Sequence, residues 1–146
     1  MIQAALANNP SGVRIAPDKV EWNTGTNREV MMTVPANPND PAISNNCPYS
    51  ITEHWTCVYN AINFGGTQLQ FMDCCYAQDL YAYGGSGWYT KSWVNNRHQK
   101  AYLWQHSGSP HGASFCMSPV ATGANSSGTS WSHDEWIYLA SSGSCP

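Results

Sequence analysis

A chain of 146 residues with a formal net charge of −3 is sized for one compact domain with room for an appended arm. Only 10% of the residues are charged, against roughly 25% in ordinary soluble domains, so solubility rests on neutral Gly, Ser, Asn and Thr. The basic residues fall into two groups, Arg14, Lys19 and Arg28, then Lys91, Arg97 and Lys100; neither makes a face that would neutralise phosphates, which excludes nucleic acid as an expected partner, and no run approaches the ~18 apolar residues that span a bilayer.

In chain order, residues 2–8 read as a short helical turn, marginal in isolation. The start lacks a basic n-region and a long apolar h-region, so the chain reads as a processed form with an added initiator Met. Residues 12–15 and 30–34 are short β-favouring runs separated by the turn-rich cluster 23–27, a pattern for a hairpin-like arm anchored by Trp22. Residues 1–46 contain no cysteine and five of the nine prolines, and the Asn/Pro-rich stretch 35–46 reads as a linker. From Cys47 onward, β-type runs at 56–60, 67–72, 92–95, 100–105, 113–117 and 135–140 are broken by Gly, Ser, Asn and Asp, with no helical period through them. The expected fold is all-β, with residues 1–46 as arm and linker and residues 47–146 as a disulfide-stabilised domain.

An internal repeat points to two similar halves. Residues 57–66 and 67–71 make an aromatic strand, a turn ending in Gly66 and a second strand; residues 102–106, leading through Gly108 to Gly112 and Phe115, repeat that order. Gly66 and Gly112 would supply backbone with φ > 0, or let a neighbouring ring lie where a Cβ would clash.

Cys47, Cys57, Cys74, Cys75, Cys116 and Cys145 form an even set, and no pair has the C-x2-C spacing of a zinc site. Disulfides are therefore expected, with secretion into an oxidising, extracellular environment. Six cysteines allow 15 pairings. Cys47 with Cys57 would close a hairpin-sized loop and Cys116 with Cys145 would pin the C-terminus. Those two bridges would leave Cys74 and Cys75 only each other; distant partners or a free thiol are the alternatives.

No catalytic constellation, metal site or cofactor is expected. His106 and His111 sit at opposite ends of a turn, His54, His98 and His133 are scattered, and zinc needs three or four converging donors. Ser132-His133-Asp134 lacks the prepared nucleophile turn of a hydrolase. Glu53, Asp73, Asp79, Asp134 and Glu135 show no pattern of a paired glycosidase site. Most of the seven tryptophans are expected in the core. Tyr81, Tyr83, Trp88 and Tyr89, however, lie in a Gly/Ser-rich stretch that reads as a loop, and they are the candidate binding residues, rigid rings on a flexible backbone.

The turn Asn63-Phe64-Gly65-Gly66 with its flanking aromatic strands resembles the βγ-crystallin-type Greek-key signature. More narrowly, Cys47-Pro48, Trp55-Thr56-Cys57-Val58-Tyr59, this turn with Leu69 and Phe71, and Ser92-Trp93-Val94-Asn95 resemble the actinobacterial secreted peptidase-inhibitor family of Streptomyces metalloproteinase-inhibitor type, over about residues 47–145. The resemblance implies a two-Greek-key β-sandwich, secretion, and inhibition of a secreted metalloprotease or a killer-toxin-like antifungal action. The chain departs from the pattern in two places. Before Ser92, where a crystallin-type calcium site places paired Asn/Asp, it has Gly87-Trp88-Tyr89-Thr90-Lys91, and the second half offers only Asn125-Ser126-Ser127 and Asp134-Glu135 instead. No inhibitory-loop motif matches around Ser107 to Cys116. The expected function is a secreted binding protein of the peptidase-inhibitor type, with an extracellular protein such as a secreted protease as partner. The alternatives are a polysaccharide- or cell-wall-binding, toxin-like module and an extracellular assembly subunit whose residues 1–46 add a strand to a neighbour.

Overall fold

The computed structural model describes residues 2–25, 28–35, 47–48, 54–72, 74–75, 77–85, 87–104, 115–124 and 136–146. Among them, short antiparallel strands dominate, as the turn-punctuated β runs predict. The elements are α1 (Ile2–Asn8), β1 (Val13–Ala16), β2 (Lys19–Gly25), β3 (Arg28–Thr33), β4 (Thr56–Tyr59), β5 (Gln68–Phe71), β6 (Ala77–Asp79), α2 (Leu80–Gly84), β7 (Ser92–Asn95), β8 (Ala101–Trp104), β9 (Phe115–Met117), β10 (Ala121–Gly123) and β11 (Trp136–Leu139). A seven-stranded sheet runs β1-β2-β3-β5-β4-β7-β10, and a four-stranded sheet runs β6-β11-β8-β9.

The internal repeat in the sequence has a counterpart in the chain path. β4 pairs with β5, β6 leaves for the other sheet, and β7 returns beside β4; β8 pairs with β9, β10 leaves for the other sheet, and β11 returns beside β8. Each half thus lends its third strand to the sheet of the other. In place of the expected hairpin of runs 12–15 and 30–34, three strands form: β1 pairs with β2, β2 pairs with β3, and β3 joins the larger sheet through β5, with Val30 opposite Phe71 and Met32 opposite Leu69.

Period-2 alternation sorts the side chains. Val20, Trp22, Val30, Met32, Val58, Leu69, Phe71 and Trp93 face Ala101, Leu103, Met117, Ile137 and Leu139 of the second sheet in the main core. The far face of the larger sheet carries a second cluster of Cys47, Trp55, Cys57, Tyr59 and Val94, packed by Met31, Phe64 and Met72. Strands β4, β5 and β7 are therefore buried on both faces.

A buried polar node joins the sheets. Asn95 accepts from Thr56 Oγ1 at 2.9 Å and from Arg97 N–H at 3.2 Å. Its amide donates to the carbonyls of Gln99, Met117 and Ser118 at 2.9, 3.3 and 3.2 Å. Arg97, also buried, donates to the carbonyls of Lys100 and Ala140 at 3.4 and 2.7 Å and holds the end of the last strand.

The turn 60–67 departs from regular backbone for identifiable reasons. Asn63, Phe64 and Gly66 have φ of 56°, 60° and 72°, and a Cβ on Gly66 would meet the Asn60 side chain, whose Oδ1 accepts from Thr67 N–H at 2.8 Å. The left-handed backbone at Phe64 is held by packing of its ring on Tyr59, 5.8 Å between centroids, and by Ser92. The Ser92 hydroxyl accepts from Phe64 N–H at 3.0 Å and donates to the Ala61 carbonyl at 2.6 Å. The requirement for φ > 0 at Gly66 holds; Gly112 lies outside the described residues.

All six cysteines are paired: Cys47–Cys57, Cys74–Cys75 and Cys116–Cys145. Such a set is what an oxidising compartment maintains. No helix among the described residues is long and apolar enough to cross a membrane.

Candidate functional site

The outward face of the four-stranded sheet is built by two strands of the pattern aromatic, aliphatic, aromatic. In β8, Ala101 and Leu103 enter the core and Tyr102 faces out; in β11, Ile137 and Leu139 enter the core while Trp136 and Tyr138 face out. Antiparallel register sets Tyr102 directly opposite Tyr138 and the backbone of Trp104 opposite Trp136. On the flanking strands, Ala77 lies opposite Tyr138, Asp79 opposite Trp136 and Cys116 opposite Tyr102. Tyr102, Trp136 and Tyr138 are half-buried. Tyr102 and Tyr138, directly opposed, stand only ~5 Å apart, and Trp136 lies two residues before Tyr138 on the same face of β11.

The rim of this patch is polar but sparse. Lys100 places Nζ 5.3 Å from the centroid of the Tyr102 ring, a cation–π distance. Its backbone is fixed on both sides, since Lys100 N–H donates to Gly143 at 3.0 Å and its carbonyl accepts from Ala140 at 3.1 Å. Asp79 is engaged as the N-cap of α2, accepting from Tyr81 N–H at 2.9 Å. The Cys116–Cys145 bridge closes one margin.

Equivalent positions on the other sheet are treated differently. The registers pair Val58 with Trp93 and Cys57 with Val94 in the first half, and Leu103 with Ile137 and Tyr102 with Tyr138 in the second. Cys57 and Val94, the counterparts of Tyr102 and Tyr138, are fully buried under the second cluster. The same place in the fold is therefore filled by small covered residues on one side and by large, half-buried rings on the other.

The residues expected to form a binding loop take other places. Tyr81 and Tyr83 belong to α2, and the stretch read as a loop is in part a helical turn. Tyr83 is 7% exposed, packs its ring against Trp22 and Phe71 at 5.2 and 5.9 Å, and donates its hydroxyl to Gln78 Oε1 at 3.0 Å. Trp88 is 2% exposed and donates Nε1–H to Thr90 Oγ1 at 3.0 Å. Its indole lies over Gly84, where any Cβ would collide with the ring. The expected presentation is corrected for Tyr83 and Trp88, which turn inward, Trp88 over Gly84; Tyr81 is half-buried, and Tyr89, at 42%, is the exposed ring of the four.

The structure also brings together two histidines that the sequence leaves apart, His54 and His98, with ring centroids 4.8 Å from each other. His106, His111, His133, Glu53, Asp73, Asp134 and Glu135 lie outside the described residues. Near the expected calcium position, Lys91 is exposed and the Ser92 hydroxyl is engaged with the turn 60–67. Among the described residues, no group of three or more His, Cys, Asp or Glu could hold a metal ion.

A cleft of about 500 Å³, lined by Ile2, Gln3, Arg14, Pro17, Asp18, Val34 and Pro35, lies between α1 and the β1–β2 turn. Its Arg14 guanidinium is committed to the carbonyls of Ala16 and Pro17 at 3.3 and 2.7 Å. Comparison with known proteins adds no assignment: no protein-family model, no curated protein and no solved structure matches this chain.

Proposed function

We propose that this chain is a secreted, disulfide-braced binding module, not an enzyme, that holds a neutral polysaccharide against the outer face of the four-stranded sheet. The observation that carries the reading is the opposed pair Tyr102 and Tyr138 with Trp136 on the same face, only half-buried where the equivalent pair on the other sheet is fully covered. A pyranose presents a flat array of C–H groups that rests on the electron-rich face of an aromatic ring, while phenol hydroxyls and the indole N–H reach the sugar hydroxyls. Rings on paired strands are pre-positioned, so little conformational freedom is lost on binding. A stacking platform for nucleobases would need a lining of cations along the backbone track; here Lys100 is the cation placed on the rings, and the chain carries −3 overall.

The Greek-key reading of the fold, to which the resemblance of residues 47–145 points, is supported by the exchange of third strands between the two halves and by the turn 60–67 fastened to Ser92. Secretion is supported by three disulfides. The peptidase-inhibitor action implied by the same resemblance has no supporting geometry among the described residues, and most of the stretch Ser107 to Cys116 lies outside them.

The test is retention of the intact protein on insoluble chitin, cellulose and β-glucan, with Tyr102→Ala, Tyr138→Ala and Trp136→Ala beside the parent and thermal unfolding of each variant in parallel. Retention on at least one polysaccharide, reduced about tenfold or more by each substitution while the fold persists, is the expected result; tenfold corresponds to ~1.4 kcal/mol. Absence of retention on all three, together with stoichiometric inhibition of a secreted metalloprotease, would replace this reading with the inhibitor one.

A further inference from the structure

His54 stands immediately before β4, and His98 lies in the turn between β7 and β8. Their imidazoles meet edge to face, with centroids 4.8 Å apart and planes at 83°. His54 is half-buried and His98 exposed. The backbone around both is tethered. Asn96 N–H donates to the Trp55 carbonyl at 3.0 Å, tying the turn to the residue next to His54. The Asn96 side chain donates to the carbonyls of Cys47 and Pro48 at 3.0 and 3.3 Å. On the far side of His98, the Gln99 carbonyl accepts from the buried Asn95 amide, and Arg97 is held by Lys100 and Ala140. The two rings are thus brought together by a scaffold that does not depend on their own contact.

We propose that His54 and His98 form a two-imidazole site for a borderline divalent transition cation of the Zn2+, Cu2+ or Ni2+ class. Neutral imidazole nitrogen is the preferred donor for these ions and a poor one for Ca2+ or Mg2+, which take oxygen. The exposed His98 ring turns about its side-chain bonds to bring a nitrogen beside that of His54, and water completes the coordination shell. The nearby Cys47 and Cys57 are bonded to each other and supply no thiolate. Two donors of a possible four make this a weaker site than a complete structural zinc site.

The experiment titrates Zn2+, Cu2+ and Ca2+ separately into the full, disulfide-intact chain, using calorimetry and the NMR signals of the histidine rings. Saturable uptake of one Zn2+ or Cu2+, with the His54 and His98 resonances moving together and Ca2+ leaving them in place, is the expected result. His98→Gln and His54→Gln should each weaken uptake at least about tenfold, while His106→Gln, His111→Gln and His133→Gln leave it unchanged. Should His54→Gln fail to fold, the exposed His98→Gln decides alone. No saturable uptake by about 1 mM metal, uptake indifferent to His98→Gln, or equal losses from the other three histidine variants would overturn the proposal.

Discussion

The indole of Trp93 on β7 lies across the backbone of Gly123 on β10, so that a β-carbon at Gly123 would run into Nε1, Cε2 and Cδ1 of the ring. Trp93 is 4% exposed and tilts against Phe115 at 5.6 Å, which leaves the indole no empty space to retreat into. Gly123→Ala should therefore destabilise the protein by about 1–3 kcal/mol through overpacking, read as a lower midpoint in urea unfolding. An unchanged midpoint would show that the ring moves aside at no cost.

Tyr59 gives the protein an alkaline limit. Burial pushes its phenol up from 10 to about 12, partly offset by the hydrogen bond from Gln68 Nε2 at 2.9 Å. The neutral phenol is the form the fold accommodates, so this contribution is fully present below pH 10 and is lost as pH rises from 10 through about 12. That interval corresponds to about 2–3 kcal/mol at its upper end. Spectrophotometric titration should find a tyrosine that ionises only near pH 12, and Tyr59→Phe should remove both that late step and its share of the alkaline loss of stability.

Asn95 touches both sheets, and its replacement should show it. Asn95→Ala deletes acceptor and donor contacts to Thr56, Arg97, Gln99, Met117 and Ser118 at once, with an expected loss of about 2–4 kcal/mol. Asn95→Asp is the sharper probe, because a carboxylate would face three carbonyl oxygens. It should be less stable than Asn95→Ala at neutral pH and recover on acidification, when the protonated acid can donate. Denaturant curves at two pH values distinguish this from simple loss of packing.

The bridges should contribute unequally, because their loops differ. Cys116–Cys145 spans 29 positions, and the entropic model gives about 3–4 kcal/mol for a loop of that size. Cys74–Cys75 spans one and closes no chain loop, so its replacement by serines should cost about 1 kcal/mol or less. Thermal melts of the two double-serine variants test the contrast, and equal losses would rule out loop entropy as the source.

How much of this was readable from residues alone depends on how local the cause is. Residues 92–95 stand out as a β run and form β7 with the same limits, because the β-favouring Trp93 and Val94 at its centre are flanked by Ser92 and Asn95. Gly66 is legible as a φ > 0 position for the same local reason. β2 is not legible as a strand, and it extends to Gly25 through residues that read as a turn, because pairing with β3 along its whole length outweighs their propensity. β10 is three residues ending in glycine and carries no pattern of its own; it exists because β7 needs a neighbour and Trp93 needs the space at Gly123.

The candidate site shows the same division. The alternation Tyr102-Leu103-Trp104 and Trp136-Ile137-Tyr138 is visible in each strand, yet nothing local says that the two strands are neighbours. Tyr83 and Trp88 misled for the opposite reason. Their glycine-rich setting is the composition of a display loop, whereas the missing Cβ at Gly84 is what lets Trp88 turn inward.

The crossing of β6 and β10 into each other's sheets has a consequence for what a shorter chain could do. A polypeptide carrying only residues of one half would lack the strand that completes its own sheet and would offer a surplus strand to someone else's. The pairing of β7 with β10 and of β11 with β6 therefore binds the two halves to each other through backbone hydrogen bonds as well as through the core they share.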